Sequence, residues 1–521
     1  MALEVEGVKA YGNERRHLPF ALVLPSSISL IFIAIPILYL IKRALESNQD
    51  SISLLVLRAK TFEIFITTVS LTAMVVLFSS VLGLMLGWVL HTVKIPGANL
   101  LRALIILPIA IPSYVFTFSW ISLFPSFRGF WAAVLILVLS TTPYISLAAL
   151  AALRRVDWAQ YEVSQTLGLN NWLSFWRVTL PQIKNSVTAG ALLVALYVLS
   201  DFGAVSLLGV DTFTRAISNL YRGSFDRSTA AILALLLVMI SALVIYLETR
   251  FRTRDNLVRS STKILRTPKQ LTGFKLEATS IALIFGYIFV SLVLPLSILF
   301  YRFLINRVGV DFKSLINASI STILVSLLGA VIALLLALPM GILTLQGSWL
   351  AKVADKGVLI VHALPGIVMG LALVSFGSEF PWLYQSIGLL ALSYALLYMA
   401  KSVGSVRTGL SRVPENLIEI SATLGQSRFQ SFKRITLPLA SPGIFSGMLL
   451  VFLASMKELP ATLMLRPTGF ETLATEMWSY TAISKFSEAA PYALFLVLIA
   501  AVPTFLINRP DKGESDEGDL R

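Results

Sequence analysis

Apolar residues gather along this chain into runs, many of which approach or exceed the ~20 residues that a helix needs to cross a bilayer. The pattern predicts twelve spans. In the first half they lie near 20–41, 64–93, 99–123, 130–152, 186–209 and 229–249; in the second, near 277–301, 317–346, 354–377, 382–400, 442–465 and 489–508. Several contain proline or glycine (Pro108 and Pro112, Pro339, Pro365 with Gly366, Pro460). Membrane helices tolerate such residues as kinks or as points of close helix packing.

The polar islands between the runs carry a repeat. Glu162-Val-Ser-Gln-Thr-Leu-Gly168, with Pro181 beyond it, returns as Glu419-Ile-Ser-Ala-Thr-Leu-Gly425 with Pro438 beyond, all at one offset of 257 residues. Arg155-Val156 and Arg412-Val413 share that offset, as do Leu107-Pro108 and Leu364-Pro365, while Gly87 matches Gly341 at 254. A shared offset over so many positions marks a tandem duplication. Each half has six spans and so enters and leaves on the same side, which makes the halves parallel repeats about an axis along the membrane normal. The fold class is an all-α polytopic membrane protein.

Composition agrees. Apolar residues make up 56% of the 521 positions and charged residues 13%, which excludes a string of soluble domains. The absence of cysteine removes disulfides and thiolate chemistry. A net charge of +14 records topology here rather than nucleic-acid binding. With the N-terminus inside, the interior segments carry 28 Lys and Arg, the exterior loops 13, and Lys457 lies within a span. Both termini and both repeated loops are therefore expected in the cytoplasm. The first run, Phe20 to Ile41, reads as a retained helix rather than a cleaved signal. The organisation that follows is a first repeat over 1–249 with its loop at 153–185 and a basic linker over 250–276. A second repeat over 277–508 has its loop at 401–441, and an acidic tail covers 509–521. The linker's eight basic residues suit anionic headgroups.

Each loop reads as two short helices broken at Gly168 or Gly425, where glycine permits a tight turn. Asn170 or Asn171, and Ser427, are placed to cap the helix that follows. Trp172, Phe175 and Trp176 fall on one helical face, with Phe429 and Phe432 as their counterparts. Pro181 and Pro438 are expected to end these segments. An exposed aromatic face suits either a partner's groove or the membrane interface.

The spacing Glu162, Gly168, Val178, Leu180, Pro181, repeated as Glu419, Gly425, Ile435, Leu437, Pro438, resembles the EAA loop of ABC-transporter permeases. Val163-Ser164 and Ile420-Ser421 depart mildly from that family's alanines. The resemblance covers nearly the whole chain and extends to fused, two-loop permeases of binding-protein-dependent importers for ferric iron and thiamine. Met456 to Thr475, with its counterpart Leu199 to Ala204, is similar to the ferric-iron branch. It implies a bacterial inner-membrane permease whose loops (Glu162, Gly168, Trp172, Phe175 and Pro181; Glu419, Gly425, Phe429, Phe432 and Pro438) dock on a separate ATPase dimer. A solute-binding protein would dock on the exterior loops, mainly 210–228 and 466–487. ATP and Mg would belong to the ATPase, with no cofactor on this chain.

Asp201 and Glu458 fall within the fifth and eleventh spans at the repeat offset. Intramembrane acids normally face the bundle interior or a water-filled cavity, so they are candidates for shaping a translocation path. The alternative is internal pairing, with Lys457 as a partner for Asp201. His17, His91 and His362 show no metal-ligand spacing, no G-x-x-x-x-G-K-[ST] phosphate loop occurs, and no catalytic cluster suggests an enzyme. A gradient-driven secondary transporter would also show repeats and intramembrane acids, but has no need of two such loops.

Overall fold

Away from water a backbone must satisfy its own hydrogen bonds, and every long apolar run here does so as helix. The computed structural model describes residues 20–46, 58–224, 227–257, 271–305, 309–345 and 348–507. The polar N-terminus with His17, residues 258–270 of the basic linker and the acidic tail lie outside the described residues. Among the described residues, eight helices are long and apolar enough to cross a membrane singly: Leu22–Leu45, Ala59–Thr92, Phe130–Leu153, Asn171–Ser200, Arg227–Phe251, Phe274–Leu304, Phe312–Thr344 and Phe429–Met456. Three further pairs qualify only as bent pairs, and the apolar helix Phe486–Ile507 closes the series.

The bent pairs correct three straight spans expected at 99–123, 354–377 and 382–400. Ala98–Ala110 turns by 88° into Ser113–Leu123, Trp349–His362 by 106° into Gly366–Gly377, and Ile387–Leu397 by 58° into Met399–Ser411. Proline causes the first two. Pro112 and Pro365 precede the second helix of their pairs in extended backbone, with ψ 147° and 154°. Neither offers an N–H to the helix before it, and each disfavours helical backbone in the preceding residue. The fold thus equates Pro112 with Pro365, not Leu107-Pro108 with Leu364-Pro365. The spans expected over 186–209 and 442–465 also stop early, at Ser200 and Met456, and the short helices Gly203–Leu208 and Pro460–Leu465 follow.

The two halves exchange their outer helices. One core packs Ile33 and Leu40 of the first helix, with Leu233 and Leu237, against Val368, Leu371 and Tyr394 of the second half. The other packs Phe116, Leu137 and Val198 of the first half against Ile284, Leu299 and Leu496 of the second. Each core therefore requires both repeats. Lys42 and Tyr39 of the first helix add donors to Glu379 of the second half, at 2.5 and 2.6 Å. The Lys42 hydrogen bond, then that of Tyr39, holds the Glu379 carboxyl below the usual carboxylate range. The end of the linker is pinned to the first half as well: Leu271 donates its N–H to Thr92 O at 2.8 Å and accepts from Lys94 N at 3.3 Å.

Within each half, small residues bring helices together. A Cβ on Gly87 would lie 2.9 Å from Ala149 Cβ, and one on Gly341 2.6 Å from Val406 Cγ1. Nearby, Ser79 and Thr141 share a hydrogen bond of 2.9 Å between the same helices as Gly87 and Ala149. Gly341→Leu is expected to lower stability by ~1–3 kcal/mol through overpacking. Thermal unfolding in detergent, with Leu335→Ala on the exposed face as a control of small effect, is the measurement. An unshifted melting curve for Gly341→Leu counts against this close contact.

Candidate functional site: paired loops and paired intramembrane acids

The two loops share one local design. In the first, Asp157 Oδ1 accepts from Ala159 N at 3.2 Å and starts the helix Trp158–Thr166. The helix ends at Gly168, whose φ of +88° is the left-handed conformation that glycine adopts freely. Asn170 Oδ1 then accepts from Leu173 N at 2.8 Å and starts the next helix. In the second loop Glu415–Thr423 ends at Gly425, φ +76°, and Ser427 Oγ accepts from Gln430 N at 3.3 Å. Sequence reasoning missed the clamp between each pair of helices. Ser164 donates to Ser174 at 2.8 Å, and Ser421 and Ser431 share a bond of 2.5 Å. Both serines recur at the repeat offset, so the signal was present in the sequence.

Pro181 and Pro438 do not end these segments, contrary to expectation. Asn171–Ser200 and Phe429–Met456 run through them into the membrane. Each proline sits in the first turn after a wider π turn, closed by Leu180 N to Phe175 O and by Leu437 N to Phe432 O. The longer loop of that turn places Pro where a donor N–H is not required.

The aromatic face expected at Trp172, Phe175 and Trp176 is split. Phe175 is buried and its ring lies 4.7 Å from that of Trp88, within a cluster that includes Trp158 and Tyr161. Trp172 and Trp176 stay exposed beside Val163 and Leu167. In the second loop Ile420, Leu424 and Phe429 are exposed, and Phe432 is half-buried against the core. Glu162 is half-buried and Glu419 exposed. Where the first loop is anchored by Trp158 and Tyr161, the second has Glu415 and Ile418.

Asp201 and Glu458 sit at the far ends of the helices that leave the loops. Asp201 Oδ1 accepts from Ala204 N at 3.0 Å and Val205 N at 3.3 Å, and its Oδ2 accepts from the Ser113 hydroxyl. Glu458 Oε1 accepts from Ala461 N at 3.1 Å and its Oε2 from Tyr398 Oη at 2.7 Å. Both acids are buried caps of short helices inside the membrane. Lys457 does not pair with Asp201; it donates to Ile109 O, in the bend of the other half, at 3.0 Å. The structure places Ser113 and Gly366 at equivalent positions after Pro112 and Pro365. Ser113 bonds the shorter acid, whereas a Cβ on Gly366 would collide with Glu458 Oε1 and approach Pro460 Cγ at 3.0 Å. Ser with Asp and Gly with Glu are two solutions to one packing problem. Neither Ser113 nor Tyr398 has a like residue at its repeat position, so no periodicity revealed them.

At the opposite end from the loops, a cleft of about 310 Å³ opens at the start of Phe312–Thr344. Asp311, Lys313, Glu471 and Glu476 line it. Arg466 pairs with Glu471, and burial raises the Glu476 carboxyl against the opposing pull of Arg466. Among the described residues no group of His, Cys, Asp or Glu is arranged to hold a metal ion.

Gly366→Ala is expected to destabilise the protein by ~1–3 kcal/mol. The double variant Gly366→Ser with Glu458→Asp, which copies the first half, should recover at least half of that loss in a thermal melt. Additive losses in the double variant would show that the two positions are not coupled.

The model of the family described as "binding-protein-dependent transport system inner membrane component" matches the chain twice, over residues 79–254 and 329–509. The "Fe(3+)-transport system permease protein FbpB 2" of Haemophilus influenzae is 32% identical over 500 residues, which is 95% of this chain and 99% of that protein. The "Ferric transport system permease protein FbpB" of Actinobacillus pleuropneumoniae is 22% identical over 71% of this chain and 57% of its own length. The "Sulfate transport system permease protein CysT" of Escherichia coli is 28% identical over 34% of this chain and 73% of its own length. Two family matches that each contain one of the clamped loops and one of the buried acids make this chain a fused, two-repeat member of the family of inner-membrane components of binding-protein-dependent transport systems.

Proposed function

We propose that the permease imports ferric iron, driven by a separate ATPase dimer that docks on the two clamped loops. The observation that carries the iron assignment is the full-length match to a relative named for Fe(3+) transport. The docking assignment rests on the loops. Each offers large apolar side chains that the protein's own core does not cover: Leu167, Trp172 and Trp176 in one, Leu424 and Phe429 in the other. Such a face on a short, capped helix is what a groove on a soluble partner accepts. The charge bias along the sequence supports a cytoplasmic side for these loops and both termini. ATP and Mg belong to the partner. The loops at 210–228 and 466–487, with the cleft at Asp311 and Glu476, face the exterior, where a loaded solute-binding protein delivers its cargo.

Asp201 and Glu458 then shape the path rather than bind iron directly, because every one of their oxygens already accepts a hydrogen bond from the chain. ATP binding and the binding protein drive transport by preferring different states of the permease. A gradient-driven carrier has no use for two partner-sized loops, which is why the ATP-driven reading is preferred.

The loops are open to direct test. Gly168 and Gly425 have room for a side chain but hold positive φ, so β-branched residues there strain the turn by ~1–3 kcal/mol. Gly425→Val, or charge reversal at Glu162 or Glu419, is expected to lower ATPase co-purification about tenfold, a loss of ~1.4 kcal/mol, without shifting the permease's own melting curve by more than a few degrees. Normal ATPase association together with normal ATP-dependent iron uptake in these variants would remove the docking assignment.

A further inference from the structure

Two lysines, Lys401 and Lys457, lie close to the buried acids in the chain and carry donors that the acids do not take up. Asp201 and Glu458 are buried, and their oxygens are turned onto helix N–H groups, Ser113 and Tyr398. Lys401, on the helix Met399–Ser411 one turn past the 58° bend, is exposed. Its ammonium lies 4.7 Å over the ring of Tyr398, the same tyrosine that donates to Glu458. Lys401 therefore looks inward onto the space beside the buried acid, and an ionisable side chain in a span belongs in such a space and not against lipid. Lys401 takes no hydrogen-bond acceptor or ion-pair partner among the described residues. Lys457 is half-buried and spends one donor on Ile109 O, with two N–H left. In the first half the position of Lys401 is held by Tyr144, half-buried and 6.0 Å from the ring of Tyr197, so hydroxyls replace the ammonium there.

A bare trivalent cation passing such a lining would meet two like charges and no free carboxylate. We propose that the path admits ferric iron as a complex clothed in oxyanion ligands of carboxylate, carbonate or phosphate type, neutral or negative overall, with Lys401 and Lys457 as its contacts. This rests on the iron assignment above and goes beyond it by naming the charge of the species that crosses. Ammonium donors bind such oxygens well and need not discriminate among the ligands that carry them.

The distinguishing quantity is the charge that moves with each iron. The full complex of permease, ATPase dimer and loaded binding protein is placed in liposomes. Radiolabelled ferric iron uptake and capacitive current are read together, with iron presented in phosphate and, separately, in citrate. The expected result is no inward positive charge accompanying iron in either medium. Lys401→Glu should lower uptake about tenfold, while Lys401→Arg stays within about twofold of wild type; co-purification of the ATPase with both variants shows that they are assembled. Inward positive charge with each iron, or a Lys401→Glu complex that transports as well as wild type, overturns this inference alone. A wild-type complex that hydrolyses ATP and moves no iron overturns the iron assignment and this inference with it.

Discussion

A helix that stops inside a membrane leaves backbone groups that lipid cannot satisfy, and among the described residues two such stops each carry a buried carboxylate. After Ser200 and after Met456 the chain breaks within an apolar bundle, and one carboxylate at each break accepts the N–H groups of the short helix that follows. The cost of burying an acid is offset only if its oxygens are used. Ser113 and Tyr398 complete the set on either side. The bent pairs follow from the same need, because Ser113 and Gly366 reach the acids only where Pro112 and Pro365 turn their helices. The kinks are thus part of the caps and not ornaments of flexibility.

The exchange of outer helices adds a second constraint. The first helix packs on the second repeat, and Phe274–Leu304 packs on the first, so neither repeat has a complete core alone. Two repeats that share cores in this way cannot drift apart as rigid bodies without opening both. Motion between them is confined to places where the packing is polar or thin, and the centre, with its lysines, tyrosines and capped acids, is such a place.

Much of this was legible in the residues. Apolar run length gave the spans, and a constant offset gave the repeat, the loops, the breaking glycines and both acids. Other features were not. The bends were hidden because Pro108 and Pro112 both lie in one run, and the offset favoured the wrong one as the mate of Pro365. Phe175 looked like a docking residue because helical spacing alone cannot tell an exposed ring from one that folds back on Trp88, 87 residues earlier. Ser113 and Tyr398 were invisible because each half satisfies its acid differently. Periodicity reveals what two repeats have kept in common, and these residues are where they diverged.

The two constraints meet along a single pair of rods. Asn171–Ser200 begins at the cap of the first loop and ends at Asp201; Phe429–Met456 begins in the second loop and ends one residue before Lys457 and two before Glu458. At 1.5 Å per residue, the 30 residues of the first rod span ~45 Å. A push at Trp172 or Phe429 therefore arrives at the capped break through continuous helix, with no loop between to absorb it. The π turn just inside each loop departs from regular helix on that route, and the second rod also carries Pro442, which lacks a helical N–H. The π turn lies on the membrane's near side, before Pro181 or Pro438, so it adjusts the angle of the loop without uncoupling the rod from its acid. The anchoring differs between the rods: aromatic rings brace the first loop on Trp88, while the second loop has no ring at the places of Trp158 and Tyr161. Equal pushes on the two loops would then move unequal amounts of structure. The half that carries Lys401 and Lys457 beside its acid is the one with the more compliant loop.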